Sequence, residues 1–298
     1  LGVCYYPEHW PEDTWEDDAA RMKALGLSTV RIAEFAWAKM EPEPGVFTWG
    51  WLDRAVETLG NAGLKVVLCT PTPTPPKWLT DAYPSTLRHS EDGLPEKHGS
   101  RRHCSVASKT YREQSRRITL ALADRYGHNP HVIGWQTDNE YSCHDSTLSY
   151  GPEDREAFQL WLGKVYGDIN ALNAQWGTVF WSMTYRSFDE VELPNRLTAD
   201  AAPAHWLDFR RFFSDMTAEF NREQCDILRA GSREDMFITH NFMVAEMGFD
   251  HWHVSSDLDF ASWDSYPLGF LEKFAGRLGI GGDAMIDRYM RIGHPDIV

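Results

Sequence analysis

Leu1-Gly2-Val3-Cys4-Tyr5-Tyr6-Pro7-Glu8-His9-Trp10 reads as an apolar strand, Leu1 to Tyr6, that runs into a turn without a glycine. That turn decides between two parallel-sheet folds. A doubly wound sheet usually opens with a glycine-rich first turn, where backbone N–H groups approach a phosphate. A (β/α)8 barrel has no such requirement. The same ten residues lack a basic leader and a cleavage site, so they read as a strand and not as a signal peptide.

Outward from this strand, the chain alternates. Pro11 to Leu25 reads as a helix, with acids in its first turn, Gly26 beyond its end, and Trp15, Ala19, Met22 and Leu25 on one face. Ser28 to Phe35 is a second strand. Leu52, Ala55, Val56 and Leu59 mark a second helix that ends at Gly63. Lys65 to Thr70 is a third strand, a short apolar run of the kind buried in parallel sheets. A Pro-rich charged loop follows, from Pro71 to about Ser108. The third helix turns Ile118, Ala121 and Leu122 inward and stops at Gly127, and Val132 to Gln136 is a fourth strand. The stretch from about Asp154 to Trp176 is mostly helical, and Trp206, Phe209, Phe213, Met216 and Phe220 form a helical stripe that suits a core. Phe237 to His240 and Leu258 to Trp263 are strands five and six.

Such alternation implies an α/β fold with a parallel sheet, and the glycine-free first turn selects the TIM barrel. Polar residues gather just past the strand ends: Glu34, Asn139, Glu140, Asn241 and Asp264. In a barrel that end is the catalytic face. Only about six βα units are present, whereas a closed barrel needs eight. Residues 1–298 are therefore expected to form one catalytic barrel domain cut short before strands seven and eight, and Leu1 in place of Met suggests that residues precede it.

Composition narrows the partners. A formal net charge of −15 argues against nucleic acid and anionic membranes as partners, because both need a basic face. No run approaches the roughly 20 apolar residues of a membrane span. The five cysteines, Cys4, Cys69, Cys104, Cys143 and Cys225, are odd in number and widely spaced. They suggest neither a disulfide framework nor a CxxC metal pair, and free thiols fit a reducing cytoplasm. Thirteen Trp suit either a core or stacking on sugar rings, and composition does not choose.

The sharpest local feature is Gly134-Trp135-Gln136-Thr137-Asp138-Asn139-Glu140, a buried strand ending in an amide and a carboxylate. Glycoside cleavage needs a carboxylic acid to protonate the leaving oxygen and a second carboxylate to attack or to activate water. The neighbouring amide can bond a sugar hydroxyl. By position alone Glu140 is either such an acid or a cap on the next helix, where acids are favoured in any case.

Several segments, in order, resemble glycoside hydrolase family 42: Gly2 to Trp10, Val30-Arg31-Ile32-Ala33-Glu34-Phe35-Ala36-Trp37, Glu41-Pro42-Glu43-Pro44-Gly45, Thr70 to Trp78, Gln136 to Glu140, Thr239-His240-Asn241-Phe242-Met243, and Ala261 to Pro267. The resemblance spans essentially the whole chain. It implies a retaining β-galactosidase with a (β/α)8 catalytic domain, two smaller C-terminal domains and a homotrimeric assembly. It makes Glu140 the general acid/base, places Asn139 beside it, and assigns a galactose-binding arginine to Arg101. A one-residue slip would exchange Arg101 for Arg102, and by themselves the two read as solvated loop charges. Trp181 resembles a tryptophan that walls the pocket from a neighbouring subunit, although a core Trp is the commoner case.

The family's nucleophile is a Glu at the end of strand seven, and its counterpart would follow Gly293-His294-Pro295-Asp296-Ile297-Val298, outside the given sequence. Some members carry a zinc-binding cysteine cluster. Here Ser105 follows Cys104 where one of those cysteines is expected, the later segment reads Tyr150-Gly151-Pro152-Glu153-Asp154, and only Cys143 remains near Glu140. Four thiolates are not available, so neither a metal nor another cofactor is expected, and His251-x-His253 is a weak substitute. The partner implied is a β-galactoside. Two alternatives remain: a related retaining mannanase or glucanase with an open cleft, and a sugar-binding protein without hydrolysis.

Overall fold

The computed structural model describes residues 1–194, 202–243 and 246–266. The chain divides into two compact units, Leu1–Ser262 and Trp263–Val298. Of the second unit, only residues 263–266 are described.

Six strands form one sheet in the order β1 (Gly2–Cys4), β2 (Thr29–Ile32), β3 (Lys65–Cys69), β4 (Val132–Gln136), β5 (Phe237–Met243) and β6 (Phe260–Asp264). The pairs from β1 to β5 are parallel, with Val30 opposite Val66 and Trp135 opposite Ile238. Strands in chain order, linked by helices, are the first six strands of a TIM barrel. The intervening helices are α1 (Trp15–Ala24), α2 (Trp37–Met40), α3 (Gly50–Asn61), α4 (Lys77–Ala82), α5 (Lys109–Tyr126), α6 (Pro152–Tyr166), α7 (Ile169–Trp176), α8 (Pro203–Gly231) and α9 (His251–Ser255).

Several boundaries differ from the sequence expectation for local reasons. Strand two stops at Ile32 because Ala33 turns left-handed, at φ 83°. Helix α1 stops at Ala24, so Leu25 becomes its exposed cap and leaves the apolar face. On α5 the inward residues are Ile118, Leu122 and Ala123, while Ala121 lies at the edge of that face. The Pro71–Ser108 loop encloses α4, whose Leu79 is buried. The helical stretch after Asp154 is two helices, separated at Gly167 (φ 76°) and recapped by Asp168.

The apolar residues fall into two clusters. One packs Trp15, Leu52, Val56, Ile118 and Leu122 against strand residues such as Ile32, Leu68, Trp135 and Ile238. The other joins α6, α7 and α8 through Phe158, Leu162, Leu172, Trp176, Phe209, Phe212 and Phe213. Full burial of each large side chain stabilises by about 1.5–3 kcal/mol. Buried Glu41 ties α2 to α5: it receives Trp37 Nε1 at 3.0 Å, the Gly45 N–H at 2.6 Å and both terminal nitrogens of Arg117. The Glu41–Gly45 motif is thus a turn built around a buried carboxylate.

His205 lies in the second cluster, stacked on Trp176 at 4.6 Å, with Nε2 donating to the Glu192 carbonyl at 2.9 Å. Burial pushes it down from 6.5 to about 4. As pH falls, the unfolded chain takes up this proton before the folded one does. The contribution of His205 to stability is therefore complete above about pH 6.5 and is lost progressively as pH drops to about 4. His205→Gln keeps the donor and removes the titration. Denaturant melts between pH 4.5 and 6.5 should show the stability slope shallower by up to about 1.4 kcal/mol per pH unit than in the wild type. An unchanged slope would show that His205 does not carry it.

Candidate active site

Glu140 follows β4 on a loop of unusual backbone. Asp138, Glu140, Ser142, His144 and Asp145 all have φ between 45° and 66°. Such left-handed residues cost energy when they carry a Cβ, and they persist only where the surroundings hold them. No α-helix begins at Glu140; a short 3-10 turn, Cys143–Asp145, follows instead. The carboxylate therefore does not cap an α-helix.

Glu140 is buried, 5 % exposed. Arg101 donates to Glu140 Oε2 at 2.8 Å, and Asn139 Nδ2 donates to the same oxygen at 3.1 Å. Asn241, from β5, donates through Nδ2 to Asn139 Oδ1 at 3.0 Å and accepts the Glu140 N–H at 3.4 Å. The structure thus brings together Arg101, Asn139 and Glu140, and adds Asn241, which the sequence marked only as a polar strand end. The Arg101 guanidinium also lies over the Phe35 ring, 5.7 Å from its centroid, and Phe35 stacks on Tyr6 at 6.1 Å. Residues just past β1, β2, β4 and the loop after β3 converge on one face.

Arg102 has a different environment. It is buried against Asp138 and donates to Asp138 Oδ1 and to the Asn139 carbonyl. Burial alone would lower its pKa, but the Asp138 charge outweighs that and holds it above the ordinary value. Neither arginine is a solvated loop charge. Beneath the site, Arg31 bridges Glu34 at 3.0 Å and Gln136 at 2.7 Å, and Glu34 is fully buried. His240 binds the loop from β5: its Nδ1 faces the Thr137 carbonyl at 2.7 Å, and its Nε2 faces the Tyr141 N–H at 3.2 Å. Arg31 and Glu34 are a local pair, three residues apart; no local pattern signals the pairings of Arg31 with Gln136, Arg102 with Asp138 or His240 with Thr137 and Tyr141, because each joins residues far apart in the chain. Asp264 lies in the second compact unit, and Pro267 and Gly293 to Val298 lie outside the described residues.

Trp181 is exposed and stacks on exposed Phe180 at 4.7 Å, so it is not a core residue. His251 donates through Nε2 to the Glu246 carbonyl, and His253 lies 3.7 Å from Asp215. Among the described residues, no group of three or more His, Cys, Asp or Glu is arranged to hold a metal ion. No helix among them is long and apolar enough to cross a membrane. Cys69, Cys104, Cys143 and Cys225 are buried thiols.

The chain is similar to known proteins over its whole length. A model of the family described as "Beta-galactosidase", glycoside hydrolase family 42, matches residues 4–283. A curated β-galactosidase of Thermus thermophilus is 54 % identical over 297 residues, covering 100 % of this chain and 45 % of its own length. Another, from Halorubrum lacusprofundi, is 47 % identical and is covered over 42 % of its length. A crystal structure of a β-galactosidase from the psychrophilic Marinomonas ef1 superposes with a TM-score of 0.89 at 54 % identity, covering 91 % of this chain and 41 % of that one. The chain belongs to glycoside hydrolase family 42. It spans less than half the length of these relatives.

At Ser105 and the segment up to Asp154, where the sequence left a cysteine cluster incomplete, a buried carboxylate stands instead. Asp154 accepts from Ser105 Oγ, from Ser149 Oγ and, at 2.8 Å, from the Gly151 N–H. Burial raises its pKa and the three donors oppose that shift. This knot ties the loop after β3 to the start of α6. Asp154→Ala should orphan three buried donors and lower stability by roughly 3 kcal/mol, whereas a chelator should leave the wild-type melting temperature unchanged. Thermal melts of both check this; a chelator-sensitive wild type would show that a metal contributes to stability, against the expectation.

Proposed function

We propose that the protein is a retaining β-galactosidase, releasing terminal non-reducing β-D-galactosyl residues, with Glu140 as general acid/base. The observation that carries this is a buried carboxyl at the end of β4, held by Arg101 and Asn139, in a chain of family 42. The retaining scheme needs a second carboxylate as nucleophile. It is assigned to sequence beyond these 298 residues, in keeping with relatives more than twice as long. Glu140 enters protonated and donates to the glycosidic oxygen as the bond to the leaving group breaks. The nucleophile forms a covalent galactosyl-enzyme. Glu140, now ionised, then takes a proton from water as that water attacks the anomeric carbon, and the configuration is retained.

Arg101 and Asn139 are assigned to hold galactose hydroxyls. A guanidinium offers five fixed donors, more than its contact with Glu140 uses. A homotrimer is part of the same proposal: Val179, Phe180 and Trp181 form an exposed apolar ridge suited to meeting another subunit. The five free thiols favour a cytoplasmic location.

Arg101→Ala in the full-length protein should lower kcat/KM on galactosides by about tenfold or more with the fold intact, and unchanged kinetics would remove Arg101 from sugar binding. Glu140→Ala should cripple lactose, whose leaving group needs a proton. Aryl galactosides with acidic phenols should lose less in the first step. Azide should then restore turnover on the aryl substrate by attacking the intermediate without a base, giving a β-galactosyl azide. Lactose activity near wild type, or azide with neither rescue nor β-azide product, would exclude Glu140 as acid/base.

A further inference from the structure

Arg101 and Arg102 are adjacent, yet they meet different carboxylates on the same loop. Arg101 reaches Glu140, and Arg102 reaches Asp138. Residues 101–102 and 138–140 are therefore joined by two neighbouring ion pairs, one partly open and one closed. In the first, the arginine side chain is 25 % exposed; in the second, arginine and aspartate are 8 % and 0 % exposed. A buried ion pair contributes little net stability compared with apolar side chains of the same volume. What the Arg102–Asp138 pair does supply is geometry.

Asp138 and Glu140 sit at φ 50° and 45°, and Arg102 at φ 62°. Each such residue costs of order 1–3 kcal/mol and relaxes unless it is over-determined. Every polar atom of Asp138 is engaged. Its N–H donates to Thr70 Oγ1 at 2.7 Å, its carbonyl receives Gln136 Nε2 at 3.0 Å, Oδ1 receives the Asn139 N–H at 2.7 Å, and Oδ2 receives the Thr72 hydroxyl. Arg102 adds Oδ1 and the Asn139 carbonyl, and its own N–H is fixed on the Pro73 carbonyl at 2.9 Å. The peptide that leads into Glu140 is thereby clamped from the loop that carries Arg101.

We infer that Arg102 and Asp138 are positioning residues for the acid/base. They set the distance between Arg101 and Glu140 and the aim of the Glu140 carboxyl, and they touch no substrate. The inference rests on Glu140 being the acid/base, as proposed above. It predicts a loss confined to steps in which Glu140 moves a proton, because a misaimed acid no longer reaches the leaving oxygen.

The test uses the full-length protein with Arg102→Lys, which keeps the charge but loses the fork, and the milder Thr72→Val, which removes one donor to Asp138. For Arg102→Lys, kcat on lactose should fall by about tenfold or more while KM stays within about threefold. Thr72→Val should lose about threefold in kcat on the same scale. The pre-steady-state burst with 2,4-dinitrophenyl galactoside, whose leaving group needs no acid, should remain near wild type in both. A folded Arg102→Lys enzyme with wild-type kcat on lactose overturns the inference, and so does a loss that falls equally on the dinitrophenyl burst. If Arg102→Lys does not fold, Thr72→Val decides by the same two criteria. Glu140→Ala assayed alongside separates the two ideas: a crippled Glu140→Ala with an unaffected Arg102→Lys removes the positioning role alone, and an active Glu140→Ala removes the acid/base role itself.

Discussion

A carboxylate withdrawn from water must be met by a cation or by hydrogen-bond donors, or it will hold a proton instead. The strand-end face buries Glu34, Asp138 and Glu140, and each is met by an arginine: Arg31, Arg102 and Arg101. Two of those arginines arrive on the loop after β3. That long, irregular segment is therefore a structural part of the site. Moving it would strip two buried carboxylates of their cations at once, and removing one partner of such a pair typically costs about 3–5 kcal/mol. Arg88, within the same segment, donates to the carbonyls of Asp145 and Leu148, anchoring it to the loop that carries Glu140.

The remainder of the fold brings these loops to one face. Gly134 lets β4 and β5 approach: a Cβ there would lie 2.5 Å from the Phe237 ring. Gly127 and Gly231, at the ends of α5 and α8, are closer still, with the Gly231 carbonyl 1.9 Å from where a Gly127 Cβ would stand. Along the same two helices Arg112 pairs with Glu219 and Glu223. Close backbone contact at one end and ion pairs along the exposed side fix α8 on α5. Asn221 and Gln224 of α8 then reach Thr137, Tyr141, Thr70 and Thr72, beneath the loop that carries Glu140.

Much of this was legible in the sequence, for identifiable reasons. Strands three and four are short apolar runs without competing helical period, and both fall within a residue of their expected limits. The cluster of polar residues at strand ends marked the face, and Gln136 to Glu140 marked its centre. What the sequence could not disclose was pairing at a distance. Nothing local distinguishes Arg101 from Arg102; the left-handed turn at Arg102 sends one towards Glu140 and the other back to Asp138. The same applies to Ser105, which meets Ser149 and Asp154 only once two separate segments are folded together. Leu25 failed for the opposite reason: its spacing continued the helical stripe, but the helix had ended.

The contacts from β5 hold the loop that carries Glu140 in one hydrogen-bond order. A carbonyl can only accept, so His240 Nδ1 must donate to Thr137, which leaves Nε2 to accept from the Tyr141 N–H. Only the neutral ring can do both, and burial keeps it neutral by pushing it down to about 3. The amides are ordered by the same logic. Asn241 Nδ2 takes the Asn139 oxygen, which turns the Asn139 nitrogen toward Glu140. Near neutral pH, a guanidinium keeps its proton, an amide has none to exchange, and this imidazole is closed at both nitrogens. Arg101, Asn139 and Asn241 thus aim the Glu140 carboxyl, and His240 holds the loop on either side of it, at Thr137 and Tyr141.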